Sequence, residues 1–196
     1  MPVNFPYDFE RTLSAIVYLA SKDLPEFTKA KICKLLFLSD KLHLVKYGRV
    51  ITGDRYCAIP YGPVPSRTLN LLNGVIGGVQ KDDLVTRIAA ALELDRRYEN
   101  PRFKAVQAFD ATRLSQSDLM VLDQIVATYG KMGFGELKAI THSMFPYKKA
   151  WREKADGTNS ADMSFEEFFE DDSDAIAGAR EAMLEDDELR KTFPER

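Results

Sequence analysis

Residues 31–45 form a segment whose large apolar side chains do not fall on one face. The segment contains no Gly or Pro and is therefore predicted to be a single helix. At about 100° of rotation per residue, these side chains surround the helix axis. They are Ile32, Leu35, Leu36, Phe37, Leu38, Leu42, Leu44 and Val45. Such a helix is typical of a protein core, so the rest of the chain is expected to pack around it.

Titratable residues interrupt this apolar surface at regular spacings. Lys34 and Lys41 are seven residues apart and are predicted to share a narrow strip that reaches solvent. Asp40 and His43 are three residues apart and share a different, largely apolar face with Ile32. A carboxylate and an imidazole on such a face require hydrogen-bond partners from elsewhere in the chain.

The central helix is predicted to end at Tyr47 and Gly48, because glycine favours the left-handed conformation of a helix C-cap. Residues 49–52 and 56–59 are rich in β-branched and aromatic side chains and flank a Gly53-Asp54 turn. This pattern predicts a β-hairpin.

The segment after the hairpin is rich in residues with restricted backbone angles. Pro60, Gly62, Pro63 and Pro65 predict a rigid, irregular loop around Tyr61. Ser66 is then predicted to be the N-cap of the next helix.

The run KLLFLSDKLHLVKYGRVITGDRYCAIPYGPVPS resembles the signature of the Panacea-domain, SocA-like antitoxins. That signature joins a K-L-L-[YF]-x-[AS]-D-x-x-H-L helix to a Y-G-R-x-I-T-G-D-R-Y hairpin and a Y-G-P-V-P-S turn. The resemblance covers residues 31–66, and Pro60 departs from the longer residue expected there. Weaker similarities follow in the Leu-Ser-x-Ser-Asp helix start at residues 114–118 and in a His–Trp pair.

The resemblance identifies residues with structural or partner-binding roles. They are Asp40, His43, Tyr47, Gly48, Arg49, Gly53, Asp54, Arg55, Tyr56, Tyr61, Gly62, Pro63, Val64, Pro65, Ser66, His142 and Trp151. It also implies an antitoxin that neutralises a cognate protein toxin by direct binding, or by presenting the toxin to a cellular protease. It implies no enzymatic activity and no cofactor. The oligomeric state, and a phage or chromosomal origin, stay open.

Composition is consistent with one compact domain spanning residues 1–196. The chain is 45% hydrophobic, with no internal repeat and no low-complexity linker. No apolar run is long enough to span a bilayer, and the N-terminus lacks the order of a secretory signal. Cys33 and Cys57 show no metal-binding spacing and are expected to be reduced thiols in the cytoplasm.

Charge is distributed unevenly along the chain. Residues 1–114 carry a balance of +5, and residues 115–196 carry −8, which together give the net charge of −3. The acidic region 164–196 is expected to be partly frayed and could select a basic partner surface, although solvated helix faces would show the same pattern.

The remaining pattern predicts a mainly α (α+β) fold with a small antiparallel sheet. Predicted helices cover residues 8–22, 66–73, 82–92, 134–143 and 175–183, with others starting near Ser115 and Pro146. A strand over residues 103–109 is expected to pair with residues 93–98 or with the hairpin. Capping boxes are predicted at residues 115–118 and 164–167.

Each candidate site has a structural alternative. Asp40, His43 and Asp54 could form a metal or acid–base site, but a structural role is favoured because no metal-ligand spacing accompanies them. Residues 54–56 could form a recognition edge or an internal turn. Residues 61–66 could hold a phosphate, but a packing loop is favoured. His142 and Trp151 could form a pocket, but a core position is favoured since no activated nucleophile accompanies them.

Two other functions remain as alternatives. A winged-helix-like transcriptional regulator would require DNA binding by an exposed basic face, formed by Lys31, Lys34, Lys41 and Arg67. A metal- or nucleotide-dependent hydrolase would use Asp40, His43 and Asp54.

Overall fold

The computed structural model describes residues 3–79, 81–170, 175 and 177–193. Its central helix, α2 (Lys29–Tyr47), is buried at every position from 31 to 45, which confirms the prediction of a core helix. Thr28 caps its start, and Gly48 closes it in the left-handed conformation, as predicted. The expected solvent strip is wrong, because the side chains of Lys34 and Lys41 are both buried.

The other helices are of moderate length. They are α1 (Phe9–Ala20), α3 (Ser66–Gly77), α4 (Asp83–Ala91), α5 (Gln116–Tyr129), α6 (Phe134–Ser143), α7 (Phe145–Glu153) and α8 (Ala179–Thr192). Helices α1, α3, α5, α6 and α8 pack on α2, whereas α4 packs on α3 and α7 packs on α6. A short 3-10 helix, Phe165–Phe169, precedes α8 and places Phe165 and Phe168 in the core. The mainly α fold with a few antiparallel strands is therefore confirmed.

The hairpin lies later in the sequence than predicted. Strands β1 (Tyr56–Ile59) and β2 (Gly62–Pro65) pair antiparallel, and a two-residue β5 (Ala161–Asp162) pairs with the other edge of β1. Residues 49–52 form no strand. Prolines are tolerated in β2 because it is an edge strand. The backbone nitrogens of Pro63 and Pro65, which carry no hydrogen, face away from β1, so the hairpin loses no hydrogen bond.

A second sheet consists of β3 (Leu92–Asp95) and β4 (Arg102–Ala105). Its antiparallel pairing confirms the proposed partnership of these segments, although the strand ends at Ala105 and not at residue 109. The turn between them covers residues 96–100 and brings Tyr98 towards the start of α2.

Three local predictions are wrong at helix ends. Helix α3 continues through Gly74, where a Cβ would lie 2.7 Å from a methyl carbon of Val85, so the glycine permits close packing of α4. The Ser164 capping box does not form, because the hydroxyl of Ser164 bonds to Glu166. Helix α8 begins at Ala179 and extends to Thr192, so residues 185–192 are helical.

Among the helices of the described ranges, not one is both long enough and apolar enough to cross a membrane. Cys33 and Cys57 are free thiols, and burial raises the pKa of Cys33 to about 12.

Candidate functional site: buried carboxylates and an adjoining cleft

Asp40 fixes the irregular segment that follows α2. Its Oδ1 accepts hydrogen bonds from the backbone N–H groups of Ile51 at 2.7 Å and Thr52 at 3.0 Å. Its Oδ2 accepts from the hydroxyl of Tyr56 at 2.8 Å and from the hydroxyl of Thr52. Because residues 50–55 form no strand, their buried N–H groups need such an acceptor.

The Asp40 carboxyl group is inaccessible to solvent. Burial raises the pKa of Asp40, whereas the hydrogen bonds from Thr52, Tyr56 and Ile51 oppose that shift. Donors of the same chain occupy both oxygens of Asp40. Its described contacts therefore give it a structural role, as a hydrogen-bond acceptor.

Asp54 caps α3 from a distance in sequence. Its Oδ1 accepts from the N–H of Arg67 at 3.0 Å, and its Oδ2 accepts from the N–H of Thr68 at 2.8 Å. These are the second and third residues of α3, whose N-cap position is occupied by Pro65 without a side-chain acceptor. The prediction of Ser66 as the cap is therefore wrong. The N–H groups at the start of α3, where a phosphate was considered as the less favoured alternative, bond to a carboxylate of the chain.

A second buried carboxylate, Asp118, connects His43 with two arginines. His43 donates from Nδ1 to the carbonyl oxygen of Arg49 at 2.8 Å, and its Nε2 lies 3.0 Å from Asp118 Oδ1. Asp118 also bonds to Arg11 at 2.9 Å and Arg49 at 3.0 Å, and it completes the predicted capping box with Ser115. The cluster thereby joins α1, α2 and α5.

The surroundings of Asp118 stabilise its ionised form. Burial by itself raises the pKa of Asp118, but hydrogen bonds from His43 and the Ser115 N–H, and the charges of Arg11 and Arg49, outweigh it. The net effect holds the pKa of Asp118 well below its usual range.

Ser117, His43 and Asp118 do not have the geometry of a nucleophilic triad. The Ser117 hydroxyl lies 3.2 Å from His43 Nε2, the same nitrogen that faces Asp118. A triad requires the carboxylate at the other ring nitrogen, which here contacts the Arg49 carbonyl oxygen. His43 is also fully buried, with Tyr47 packed against it at a ring-centroid distance of 4.7 Å.

His142 and Trp151 belong to one aromatic stack, but they do not form a direct pair. Tyr147 lies between them, with ring-centroid distances of 4.2 Å to His142 and 6.1 Å to Trp151. The Tyr147 hydroxyl donates to the carbonyl oxygen of Ile59 at 3.0 Å and attaches the stack to β1. Burial, followed by the charges of Lys138 and Lys34, lowers the pKa of His142.

Lys34 is a buried cation beside Gly62. Its ammonium group donates to the carbonyl oxygen of Pro63 at 2.8 Å, and burial lowers the pKa of Lys34 to about 8. Gly62 has a φ of 99°, and a Cβ there would lie 2.9 Å from Lys34 Nζ and 3.1 Å from His142 Cδ2. Glycine is therefore required both by the backbone angle and by the approach of these side chains.

A cleft of about 800 Å³ opens next to Lys34. It lies between the start of α2, the β1–β2 turn, α3 and the β3–β4 turn. Its volume is in the range of ligand-binding clefts in proteins. Sequence reasoning did not find it, because its walls come from distant segments, although Tyr61 belongs to the resemblance.

The other sequence-predicted residues lie in different environments. Of residues 54–56, only Arg55 is exposed, and it lies 3.7 Å from Asp162. Within β2, Val64 is buried and lines the cleft. Gly53 has a φ of 67° and contacts the backbone of Pro6, so the predicted hairpin turn is instead a contact with the N-terminal segment.

The groupings that the two alternative functions require do not form. Lys31, Lys34 and Lys41 are buried and thus provide no exposed face for DNA. The Thr52 hydroxyl donates to Asp40 and accepts from the Asp54 N–H at 3.1 Å, so these two aspartates are linked through Thr52, whereas His43 bonds to Arg49 and faces Asp118. The three side chains therefore do not converge on one site. In the described ranges, no group of three or more His, Cys, Asp or Glu side chains could hold a metal ion.

Comparison with protein families agrees with the sequence resemblance. Residues 32–152 match the model described as "Antitoxin SocA-like, Panacea domain". The chain belongs to this family. The matched region includes α2, the hairpin and the α6–α7 aromatic stack, and it also contains most of the cleft lining. No curated protein and no solved structure matches the chain.

We expect Asp40→Ala to lower the free energy of unfolding by roughly 3–5 kcal/mol, because several buried donors lose their acceptor. Asp40→Asn keeps one oxygen for the Ile51 and Thr52 N–H groups and should cost clearly less. Urea unfolding of both variants measures the difference. Equal stability of Asp40→Ala and the wild type would contradict the assignment.

Because Asp54 caps α3 from outside the helix, Asp54→Ala and Ser66→Ala should differ in their effect on the free energy of unfolding. Asp54→Ala should lower stability by about 1–2 kcal/mol, because the N–H groups of Arg67 and Thr68 lose their acceptor. Ser66→Ala, the matched control, should cost less than about 0.5 kcal/mol. Thermal unfolding would show the reverse order if Ser66 were the cap.

The low pKa of Asp118 predicts a loss of stability in acid. Its folded-state pKa is below the unfolded value of about 3.9, so its contribution is fully present well above pH 3.9 and is lost as the pH falls from there through the folded-state pKa. Asp118→Asn should flatten the dependence of stability on pH between about 5 and about 2. Asp40, with its raised pKa, acts in the opposite direction but is common to both proteins. Parallel pH curves would contradict this prediction.

Proposed function

We propose that this chain is an antitoxin that neutralises a cognate protein toxin by binding it directly. The family match over residues 32–152 is the observation that carries the proposal. A toxin partner follows from the family, and we place both proteins in the cytoplasm. The proposal treats the chain as one domain in which the residues of the resemblance maintain the scaffold.

The contacts of the acidic residues support a binding role over catalysis. A catalytic acid or base has to reach a substrate. Asp40 and Asp54 are at most 1% exposed, and their oxygens accept hydrogen bonds from neighbouring backbone groups. Asp118 is likewise covered and paired. We therefore assign the activity of the chain to its exposed surface.

The acidic C-terminal region is a weak candidate for that surface. Glu166 accepts from the Val3 N–H at 3.0 Å, and Glu167 pairs with Lys149 at 2.6 Å. Residues 171–174 lie outside the described residues. Because these described glutamates already have partners within the chain, a toxin would have to compete for them.

Co-expression tests the proposal directly. The protein encoded by the adjacent gene would be produced alone, with this chain, and with a version of its gene that carries an early stop codon. We expect toxicity from the neighbour alone and restored growth only with the intact chain. The two proteins should then co-purify as a stable complex.

The alternative outcomes separate the possible mechanisms. Restored growth without a complex, with toxin levels that fall only in cells containing an active protease, would indicate delivery for proteolysis. Toxicity that persists when both proteins accumulate would contradict neutralisation by this chain. Relief by the stop-codon version would show that the protein product is not responsible.

A further inference from the structure

The cleft beside Lys34 is lined by apolar side chains and by more basic than acidic side chains. Its apolar lining comes from several elements and includes Ile59, Val64, Leu69, Ile76 and Phe134. Four basic side chains also line it, namely Lys29, Lys31, Lys34 and Arg102, against two acidic ones, Glu26 and Glu99. The cleft therefore suits a ligand with apolar groups and negative charge.

The lysines of the cleft bond to neutral acceptors. Lys29 donates to the side-chain oxygen of Asn73 at 2.6 Å, and Lys31 donates to the carbonyl oxygen of Pro25 at 2.6 Å. Within the described part of the chain, no carboxylate lies within ion-pair distance of Lys29, Lys31 or Lys34. Lys29 is partly buried and can be reached from the cleft, whereas Lys31 and Lys34 are buried and contribute a positive potential to its wall.

Lys34 is a buried cation whose hydrogen-bond donors are only partly used. An ammonium group has three N–H donors, and Lys34 uses one of them on Pro63. Its side chain is 1% exposed, and a buried cation without an anionic partner is unfavourable. The lowered pKa of Lys34 reflects the same cost. A carboxylate bound in the cleft would offset part of this cost through its negative charge.

The rim of the cleft has side chains that are common in protein interfaces. Tyr61 is 63% exposed and Tyr98 is 43% exposed. Arg102 stacks on Tyr98 at 3.6 Å from the ring centroid, and Lys138 lies 5.5 Å from that of Tyr61. Tyrosine and arginine are frequent among residues that dominate binding energy.

Strand addition at the neighbouring sheet edge is a poor alternative. Pro63 and Pro65 lack N–H groups, and the Pro63 carbonyl oxygen is already bonded to Lys34. A partner at this site therefore has to use side chains that enter the cleft.

We propose that the cleft is the toxin-binding groove and that it receives an acidic segment of the toxin flanked by apolar residues. A carboxylate of the segment contacts Lys29 within the positive potential of Lys34, and the apolar side chains pack against Ile59 and Leu69. The rim tyrosines cover the bound segment. This inference rests on the proposed antitoxin function and assigns its binding surface.

The test measures the affinity of the purified chain for the toxin identified by co-expression. Lys29→Glu and Tyr61→Ala alter the cleft, whereas Lys148→Glu and Met120→Ala make matched changes at exposed positions outside it. We expect Kd to rise at least about tenfold for each cleft variant and to change less than about twofold for the controls. Binding by the wild type should weaken with added salt.

Lys34→Met distinguishes binding from a structural role. Methionine removes the donor to the Pro63 carbonyl oxygen, but it also removes a buried charge without an anionic partner, so the thermal unfolding midpoint should change little. Toxin affinity should still fall at least about tenfold. A structural lysine would instead show a lowered midpoint with unchanged affinity of the folded fraction.

The outcomes keep the two proposals separate. Equal affinity of the cleft variants and the controls, with a stable wild-type complex, overturns the cleft as the groove and leaves the antitoxin function intact. Absence of a wild-type complex overturns both. Stabilisation by inorganic phosphate that Lys34→Met abolishes, together with unchanged toxin affinity, identifies a small-anion site and also overturns the groove.

Discussion

The fold depends on buried carboxylates that accept hydrogen bonds from backbone N–H groups with no partner in a helix or sheet. Asp40 performs this role for the chain after α2, and Asp54 performs it for the start of α3. Asp118 does so at the start of α5 and also forms ion pairs with Arg11 and Arg49. Since a buried donor without an acceptor is costly, these aspartates determine where the chain can leave regular structure.

The buried aspartates and the buried Lys34 differ in the number of hydrogen-bond partners that the chain provides. The oxygens of the three aspartates accept several hydrogen bonds each from groups of the same chain. Lys34 is equally buried, yet its only described acceptor is a backbone carbonyl oxygen. Helix α2 therefore carries a carboxylate with several partners, Asp40, and an ammonium group with unused donors, Lys34. The unused donors are one basis of the anionic ligand proposed for the cleft.

Much of the fold follows from patterns that act over a few residues. The apolar circumference of residues 31–45 identified the core helix, and Gly48 and Ser115 marked helix ends through local caps. Other features depend on distant residues. Asp54 replaces Ser66 as a cap because the chain brings its carboxylate to α3, and β2 tolerates prolines because it lies at an edge. Neither fact is encoded in local spacing, and the same is true of the cleft.

The buried polar network and the cleft should differ in how well they tolerate substitution. Substitutions at Asp40 or Asp118 disturb several buried hydrogen bonds at once, so most of them reduce stability. Tyr61 and Lys29 are at the cleft, where one side of each side chain already meets solvent. Changes there alter shape and charge without creating buried unsatisfied groups. A scaffold of this kind can therefore keep its core polar network while the shape and charge of the cleft change.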